Sequence, residues 1–226
     1  MIIQLRRTGV VAAPEARLER ARQDFARQHC VYVPQFLHPE LATSIRRRMH
    51  QAPFEERHHT DLDGRVVDLL MCDDAVHGRL HFLVNDRRFF ELLQRLTGCA
   101  PINCFAGVVS RRGARGADTY AWHDDEDGNN LLAMSLDLSD GRFGGGRLQV
   151  READTGLQTF DGASRGPGDA FIFRIAANLE HQVTLISGAM PRTVFAGWFR
   201  ETPDYRTWLA ASVDRREVKE ATWGRR

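Results

Sequence analysis

The sequence has almost no lysine, since Lys219 is the only lysine among 31 basic residues. A P-loop needs a lysine to contact nucleotide phosphates, and Schiff-base enzymes need a lysine amine as nucleophile. The sequence therefore indicates neither class. The formal net charge is only +1, with 30 acidic residues. A nucleic-acid-binding domain usually shows an excess of positive charge, so we expect no nucleic-acid partner.

Metal-binding cysteine pairs and long apolar runs are also missing. None of the four cysteines forms a CxxC pair, which excludes a zinc ribbon. No apolar run approaches the roughly 18 residues that a membrane-spanning helix needs. The first twenty residues lack the basic-then-apolar order of a signal peptide. We therefore expect a cytoplasmic protein with reduced thiols and no membrane partner.

The length and composition suit one folded domain. The chain has 226 residues, of which 42% are hydrophobic and 27% are charged. It contains no internal repeat and no low-complexity linker. We predict a single domain over residues 1–226, with a mostly helical region at 1–99, a β-rich core at 100–200 and a C-terminal extension at 201–226. The sequence indicates no particular oligomeric state.

Helix start and stop signals mark the first region. Helices are predicted after Pro14, at Pro39 and after Asp86, and the third is expected to end at Gly98. A short strand is predicted over residues 30–33. The segment EERHHTDLDG is predicted to be a charged loop, and the wider segment 52–75 is a candidate for a lid.

Short apolar runs separated by glycine-rich turns fill the second region. Six strands are predicted there, with the sequences INCFAGVVS, LLAMSLDLS, RLQVRE, DAFIFRI, HQVTLI and RTVFAGWF. Such a series predicts a barrel or jelly roll. No helical period separates the strands, so a Rossmann sheet is not expected. The stretch GRFGGG is accordingly predicted to be a bend rather than a dinucleotide-binding loop.

Two histidines and one aspartate carry the strongest chemical signal. In an extended segment, His123 and Asp125 would project to the same side. His181 begins another predicted strand. Two imidazoles and one carboxylate with open positions are the ligand set of non-haem Fe(II) oxygenases, whereas a structural site is closed by a fourth ligand. Taken alone, a His-x-Asp motif is common, and histidines in ordinary packing roles remain the alternative.

From about residue 100 to 199, the order of several motifs resembles the Fe(II)/2-oxoglutarate-dependent dioxygenases, in particular their prolyl-hydroxylase-like branch. The matching segments are His123-Asp124-Asp125, FGGGRL from Phe143, GPGDAFIF from Gly166, HQVTLISG from His181, Arg192, and AGWF from Ala196. The resemblance implies an α+β fold. Its core would be a double-stranded β-helix, or jelly roll, packed against an N-terminal helical buttress.

The same resemblance implies the site and its cofactors. Fe(II) would be held by His123, Asp125 and His181. The distal carboxylate of the co-substrate 2-oxoglutarate would be bound by Arg192, whose guanidinium matches a carboxylate with two donors. Dioxygen would take the remaining metal position. Tyr120 matches a tyrosine that lies near the co-substrate in prolyl-hydroxylase-like members.

One part of the co-substrate site departs from the family pattern. Some branches carry serine or threonine two residues after the arginine, where this chain has Val194. A second donor to the carboxylate must then come from another residue. Thr193 and Ser135 are the candidates.

The implied reaction is hydroxylation of an unactivated C–H bond, with release of succinate and carbon dioxide. Halogenase members of the family have a small residue in place of the carboxylate, so Asp125 favours hydroxylation. Desaturation or ring formation is also possible with the ligands His123, Asp125 and His181. The expected substrate is a small molecule, either amino-acid-like or a natural-product intermediate. It would be anionic if the arginines at positions 111, 112 and 115 line the pocket.

Several alternatives to this interpretation stay open. The protein would be a prolyl-type protein hydroxylase if its substrate were a polypeptide. It would be a cupin-like metalloenzyme if it did not use 2-oxoglutarate, and a non-catalytic barrel if it bound no iron. His58 and His59 are assigned to the charged loop. His77 and His81 have helical spacing without a HExxH glutamate, so a surface helix face is predicted for them.

Overall fold

The computed structural model describes residues 2–61, 64–113 and 121–203. For residues 58–61 and 64–67, the description covers the backbone alone. Tyr120 and Arg115 lie outside the described residues, as does the segment 204–226. The division of the chain into one domain with a C-terminal extension therefore stays a prediction.

Three of the four helices in the described residues begin or end where the sequence predicts, and the third in chain order was not predicted. The helices are α1 (Glu15–Gln28), α2 (Pro39–Met49), α3 (Asp74–Val84) and α4 (Arg87–Thr97). The Asp86 carboxylate accepts a hydrogen bond from the Arg88 amide, which caps α4. Gly98 ends α4 in the left-handed region, at φ 66°. No helix in the described part of the chain is long and apolar enough to span a membrane.

The described residues also form a series of strands in both regions of the chain. The strands are β1 (Ile3–Arg6), β2 (Gly9–Ala12), β3 (Cys30–Val33), β4 (Phe54–Asp61), β5 (Gly64–Met71), β6 (Cys104–Arg112), β7 (Asn130–Asp137), β8 (Gly144–Gly145), β9 (Leu148–Glu152), β10 (Gln158–Gly162), β11 (Ala170–Arg174), β12 (Leu179–Val183), β13 (Ile186–Ser187) and β14 (Arg192–Arg200). The six strands predicted after residue 100 are all present, as β6, β7, β9, β11, β12 and β14.

Two antiparallel sheets form the framework of the site. The larger sheet has the strand order β3-β11-β7-β14-β6-β5-β4, and the smaller one has the order β10-β9-β12. Two further pairs, β1 with β2 and β8 with β13, lie outside these sheets. The C-terminal strand β14 is central in the larger sheet, since it pairs with β6 on one side and β7 on the other.

Alternating side chains of the larger sheet contribute to two apolar layers. On one face, residues such as Phe195 and Leu136 join the helix residues Phe25 and Phe89 in the main core. On the other face, residues such as Phe171 and Ala133 pack against residues of the smaller sheet. This second face, between the two sheets, is called the inner face below.

The prediction of a charged loop over the segment EERHHTDLDG is wrong. Residues 55–61 lie in β4 and Gly64 begins β5, and these paired strands extend the larger sheet, with β4 at its edge. Charged side chains suit an edge strand because they discourage pairing with another chain. The N-terminal region therefore holds strands β1 to β5 beside the predicted helices. That the segment 52–75 acts as a lid stays a prediction.

The surface position predicted for His77 and His81 is also wrong. Both lie on α3 and contact the backbone of β6. His77 Nε2 accepts a hydrogen bond from the Val109 amide at 3.1 Å, and His81 Nε2 lies 2.9 Å from the Gly107 carbonyl oxygen. Because they are four residues apart, both histidines face the sheet and attach α3 to it. Gly78 lies on the exposed side of the helix.

Candidate metal centre

The structure brings together the histidines and the aspartate that the sequence singled out. His181 lies in the middle of β12, and His123 forms an isolated antiparallel bridge to it. The His123 amide donates to the His181 carbonyl at 3.1 Å, and the His181 amide donates to the His123 carbonyl at 2.8 Å. This reciprocal pair places the two imidazole centroids 4.2 Å apart.

Asp125 reaches the same point by a local turn and not by an extended segment. Its φ is 55°, in the left-handed region that aspartate tolerates better than most residues. The Asn130 side chain amide donates to the Asp125 carbonyl at 2.9 Å and holds this turn against the start of β7. The predicted convergence of His123 and Asp125 is therefore present, but the predicted strand alternation is not its cause.

The potential ligand atoms are close enough to share one metal ion. Asp125 Oδ1 lies 3.7 Å from His123 Nε2, and Asp125 Oδ2 lies 3.3 Å from His181 Nε2. One ligand atom from each residue can be chosen so that all lie within 4.8 Å of one another. Metal–ligand distances of about 2.1 Å put neighbouring ligand atoms about 3–4 Å apart, so the observed spacing fits a metal.

The protonation states also suit metal ligands, which must be neutral imidazoles and ionised carboxylates. His123 Nδ1 lies 2.7 Å from the Ala121 carbonyl oxygen, which can only accept, so a neutral imidazole here has its proton on Nδ1 and its lone pair on Nε2. Burial lowers the pKa of His181 and opposes its protonation, against the effect of Asp125. Burial alone would raise the pKa of Asp125, but His181, His123 and Trp198 together hold it below its usual value.

Trp198 orients the carboxylate of Asp125, and the sequence analysis missed it. Its indole Nε1 donates to Asp125 Oδ2 at 3.1 Å. The signal for this role was present in the period of two along β14. Since Arg192 was assigned to the site, Trp198, six residues later, had to lie on the same face of the strand.

Replacing Trp198 with phenylalanine should weaken divalent metal binding about tenfold, the lower end of the effect of losing a partner of a metal ligand. The phenyl ring keeps most of the packing, but Asp125 loses its hydrogen-bond donor. Anaerobic titration with Co(II), followed by its visible absorption, measures the dissociation constant. The unfolding temperature of the metal-free variant is the control and should change little. Equal Co(II) affinities for variant and wild type would contradict the orienting role.

A narrow cleft on the inner face surrounds Arg192. Its lining residues are Ser135, Asp137, Phe143, Gly146, Ser164, Asp169, Phe171, Arg192 and Val194. Arg192 Nη2 donates to Ser135 Oγ at 2.9 Å. Gly146 has φ 60°, and a Cβ there would lie 2.6 Å from the Phe143 ring and 3.2 Å from Arg192 Cδ. The glycine-rich bend therefore allows the chain to pass close to the arginine.

The strand register separates the other candidate residues by face. Thr193 points away from the cleft, into the main core side, where its Oγ1 accepts from Arg111 Nε at 3.0 Å. Arg111 also stacks on the Phe54 ring. Arg111 therefore does not line the cleft, so it does not meet the condition for an anionic substrate. Arg112 is opposite Arg192 on the inner face, and its Nε donates to the Asp68 carboxylate at 2.8 Å.

No protein-family model and no curated protein sequence matches this chain. Solved structures do match it. An oxidoreductase of the 2OG-Fe(II) oxygenase family from Burkholderia pseudomallei has a TM-score of 0.65 and 14% identity, covering 85% of this chain and 94% of its own. A prolyl-4-hydroxylase from Pseudomonas putida has a TM-score of 0.57 and 17% identity, and the match covers 82% of this chain and 99% of the hydroxylase.

A third similar structure contains ligands. The epimerase SnoN, in complex with Fe3+, alpha ketoglutarate and nogalamycin RO, has a TM-score of 0.59 and 20% identity, covering 83% of this chain and 84% of its own. Together, these similarities show that the chain has the fold of the 2OG-Fe(II) oxygenases. The jelly-roll fold predicted from the sequence is thus confirmed.

Proposed function

We propose that this protein is a non-haem Fe(II)- and 2-oxoglutarate-dependent dioxygenase that hydroxylates a small molecule at an unactivated C–H bond and releases succinate and carbon dioxide. The convergence of His123, Asp125 and His181 carries the proposal. Three ligands from the protein leave further positions on an iron ion for the co-substrate and dioxygen. The similar structures support the same assignment, since one of them contains iron and alpha ketoglutarate.

The residues of the centre would hold and orient the metal. Bound Fe(II), together with 2-oxoglutarate, would supply the activation of dioxygen. His123 and His181 would each contribute Nε2, and Asp125 would contribute a carboxylate oxygen. Trp198 fixes the rotation of that carboxylate through its indole N–H. The Phe173 ring packs against the imidazole of His181, with the two ring centroids 4.7 Å apart.

Arg192 and Ser135 would bind the distal carboxylate of 2-oxoglutarate. The Ser135 hydroxyl accepts from Arg192 Nη2, and its own proton can be donated to the carboxylate. Ser135 is therefore the second donor that Val194 does not provide. Thr193 is unsuitable because its side chain lies on the opposite face of β14. Tyr120 stays a prediction, since it lies outside the described residues.

Two aspartates in the cleft accept hydrogen bonds from the residues around them. Asp137 accepts from the Ser139 amide at 2.8 Å and from the Ser164 hydroxyl at 2.5 Å. Asp169 accepts from the Tyr32 hydroxyl and from backbone amides of the neighbouring loops. These bonds connect the loop before β11 to β3 and β7 and build the closed end of the cleft.

The inner face of β6 is the proposed substrate face. Its residues Ala106, Val108 and Ser110 are small, and they are opposite Trp198, Ala196 and Val194 of β14. Val108 is 37% exposed, whereas the equivalent positions on β11 are covered by the smaller sheet. A small molecule would therefore approach the metal along β6. Arg112 lies on the same face and is paired with Asp68 at 2.8 Å.

Anaerobic titration of the metal-free protein with Fe(II) and then 2-oxoglutarate tests the assignment. We expect the visible iron-to-ketoacid charge-transfer band to appear at about one equivalent of each. Succinate release in the presence of candidate substrates then measures turnover. Iron binding without the band would favour a cupin-like metalloenzyme, and the absence of iron binding would leave a non-catalytic barrel.

A prolyl-type protein hydroxylase is the second candidate function. It is favoured by the likeness to the Pseudomonas putida prolyl-4-hydroxylase, of which 99% is covered. Succinate release should be measured separately with metabolite pools and with a tryptic peptide pool. Release with peptides alone would replace the small-molecule assignment.

A further inference from the structure

The outer side of the smaller sheet carries a stacked ion pair directly behind the candidate metal ligands. The guanidinium carbon of Arg151 lies 4.1 Å from the centroid of the Trp122 ring. Arg151 Nε donates to Glu180 Oε2 at 2.7 Å, and Nη2 lies 2.6 Å from the same oxygen. The three side chains, called the Trp122 clamp below, are half-buried.

The clamp connects the residues that immediately precede the two histidine ligands. Trp122 precedes His123, and Glu180 precedes His181. In the antiparallel register, Arg151 of β9 is opposite Glu180, and Val150 is opposite His181. Successive residues of a strand point to opposite faces, so His181 points inward and Glu180 outward. The Trp122 clamp therefore lies on the outer face of the smaller sheet, behind the imidazoles of His123 and His181.

The segment that carries His123 and Asp125 needs such support. Between residues 121 and 129, the chain forms no regular strand, and its link to β12 is the reciprocal backbone pair at His123 and His181. Asn130 and Trp198 hold the Asp125 end of the segment, and the backbone pair holds the His123 end. A cation over an indole face, itself fixed by an ion pair, adds a side-chain attachment at the His123 end, on the outer side of the segment.

We propose that Arg151 is a positioning residue for the metal centre: by stacking on Trp122 while paired with Glu180, it holds the His123–Asp125 segment in register with His181. The inference rests on the proposed metal-binding function.

Replacing Arg151 with glutamine tests the inference, with Arg147→Gln as the matched control. Arg147 lies four residues earlier and, by the alternation along β9, on the same face, where it pairs with Asp161 at 2.6 Å. Both variants lose one arginine and one ion pair. We expect Arg151→Gln to weaken Co(II) binding about tenfold and to alter the Co(II) absorption spectrum, because the geometry of the ligands changes. Arg147→Gln should retain wild-type affinity and spectrum.

Variants of Trp122 separate positioning from a general loss of stability. Trp122→Ala should weaken Co(II) binding as much as Arg151→Gln does, while Trp122→Phe, which keeps an aromatic face, should restore most of the affinity. Combining Trp122→Ala with Arg151→Gln should cause no further loss, since both changes remove the same contact. If Arg151→Gln fails to fold, Arg151→Lys and the two Trp122 variants carry the same comparison.

The outcomes distinguish the inference from the proposed function. If wild type binds Co(II) and Arg151→Gln binds it equally well, the positioning role is overturned while the metal centre stands. Additive losses in the double variant would likewise overturn it, since the two residues would then act separately. If wild type binds neither Co(II) nor Fe(II), both the proposed function and the inference fail.

Discussion

Replacing His181 with alanine should abolish iron binding and turnover. The variant removes one of the three candidate ligands, whose Nε2 lies 3.3 Å from Asp125 Oδ2. Loss of an outer partner of a ligand already costs about 10–100-fold in metal affinity, so loss of a ligand itself should exceed about 100-fold. Metal content after anaerobic dialysis, Co(II) titration and succinate release measure the effect.

The control must reproduce the packing defect without removing a ligand. His181 is buried beside Phe173, so truncating it also leaves a cavity in the layer between the sheets. Phe173→Leu loosens the same layer and keeps the imidazole. This variant should be less stable than wild type but should still bind metal. If His181→Ala retained Co(II) affinity and the 2-oxoglutarate-dependent band, His181 would not be a ligand.

Six strands of the second region could be predicted because their signals are local. Each is a short apolar run between glycine-rich turns, and each has several residues to carry the pattern. The pairs β8 and β13 have two residues each, too few for any period. The hairpin β4–β5 was missed for a different reason. Its first strand is an edge strand rich in charge, so it lacks the alternation that identifies a half-buried strand.

The candidate metal residues were predictable from their types and order, but their geometry was not. The left-handed φ of Asp125 and the bridge between His123 and His181 depend on contacts with distant parts of the chain. The faces of Arg111 and Arg112 depend on pairing with β14, which a single strand does not reveal. The position of Trp198 could be predicted only in part. Alternation along β14 from Arg192 places it on the correct face but does not identify Asp125 as its partner.

Replacing Arg192 with alanine should raise the 2-oxoglutarate concentration needed for half-maximal turnover about 10- to 100-fold. Hydrogen bonds to a charged group contribute about 1.5–3 kcal/mol, and each 1.4 kcal/mol is a factor of ten. Arg192→Lys should be intermediate, because an ammonium keeps the charge but not the two-donor geometry. The charge-transfer band in each variant should still form at saturating co-substrate, since the metal ligands are unchanged.

Variants of Ser135, which contacts Arg192, and of Thr193, which lies on the opposite face of β14, are the controls for this prediction. Ser135→Ala removes the proposed second donor and the acceptor of Arg192 Nη2, so it should raise the 2-oxoglutarate requirement several-fold. Thr193→Val lies next to Arg192 in sequence but on the other face, where it contacts Arg111, and it should leave that requirement unchanged. A rise in Thr193→Val as large as that in Ser135→Ala would indicate that the strand, and not the cleft, had been perturbed. If Arg192→Ala needed no more 2-oxoglutarate than wild type, the distal carboxylate of the co-substrate would have to bind elsewhere, since this variant removes the Arg192 guanidinium from the cleft.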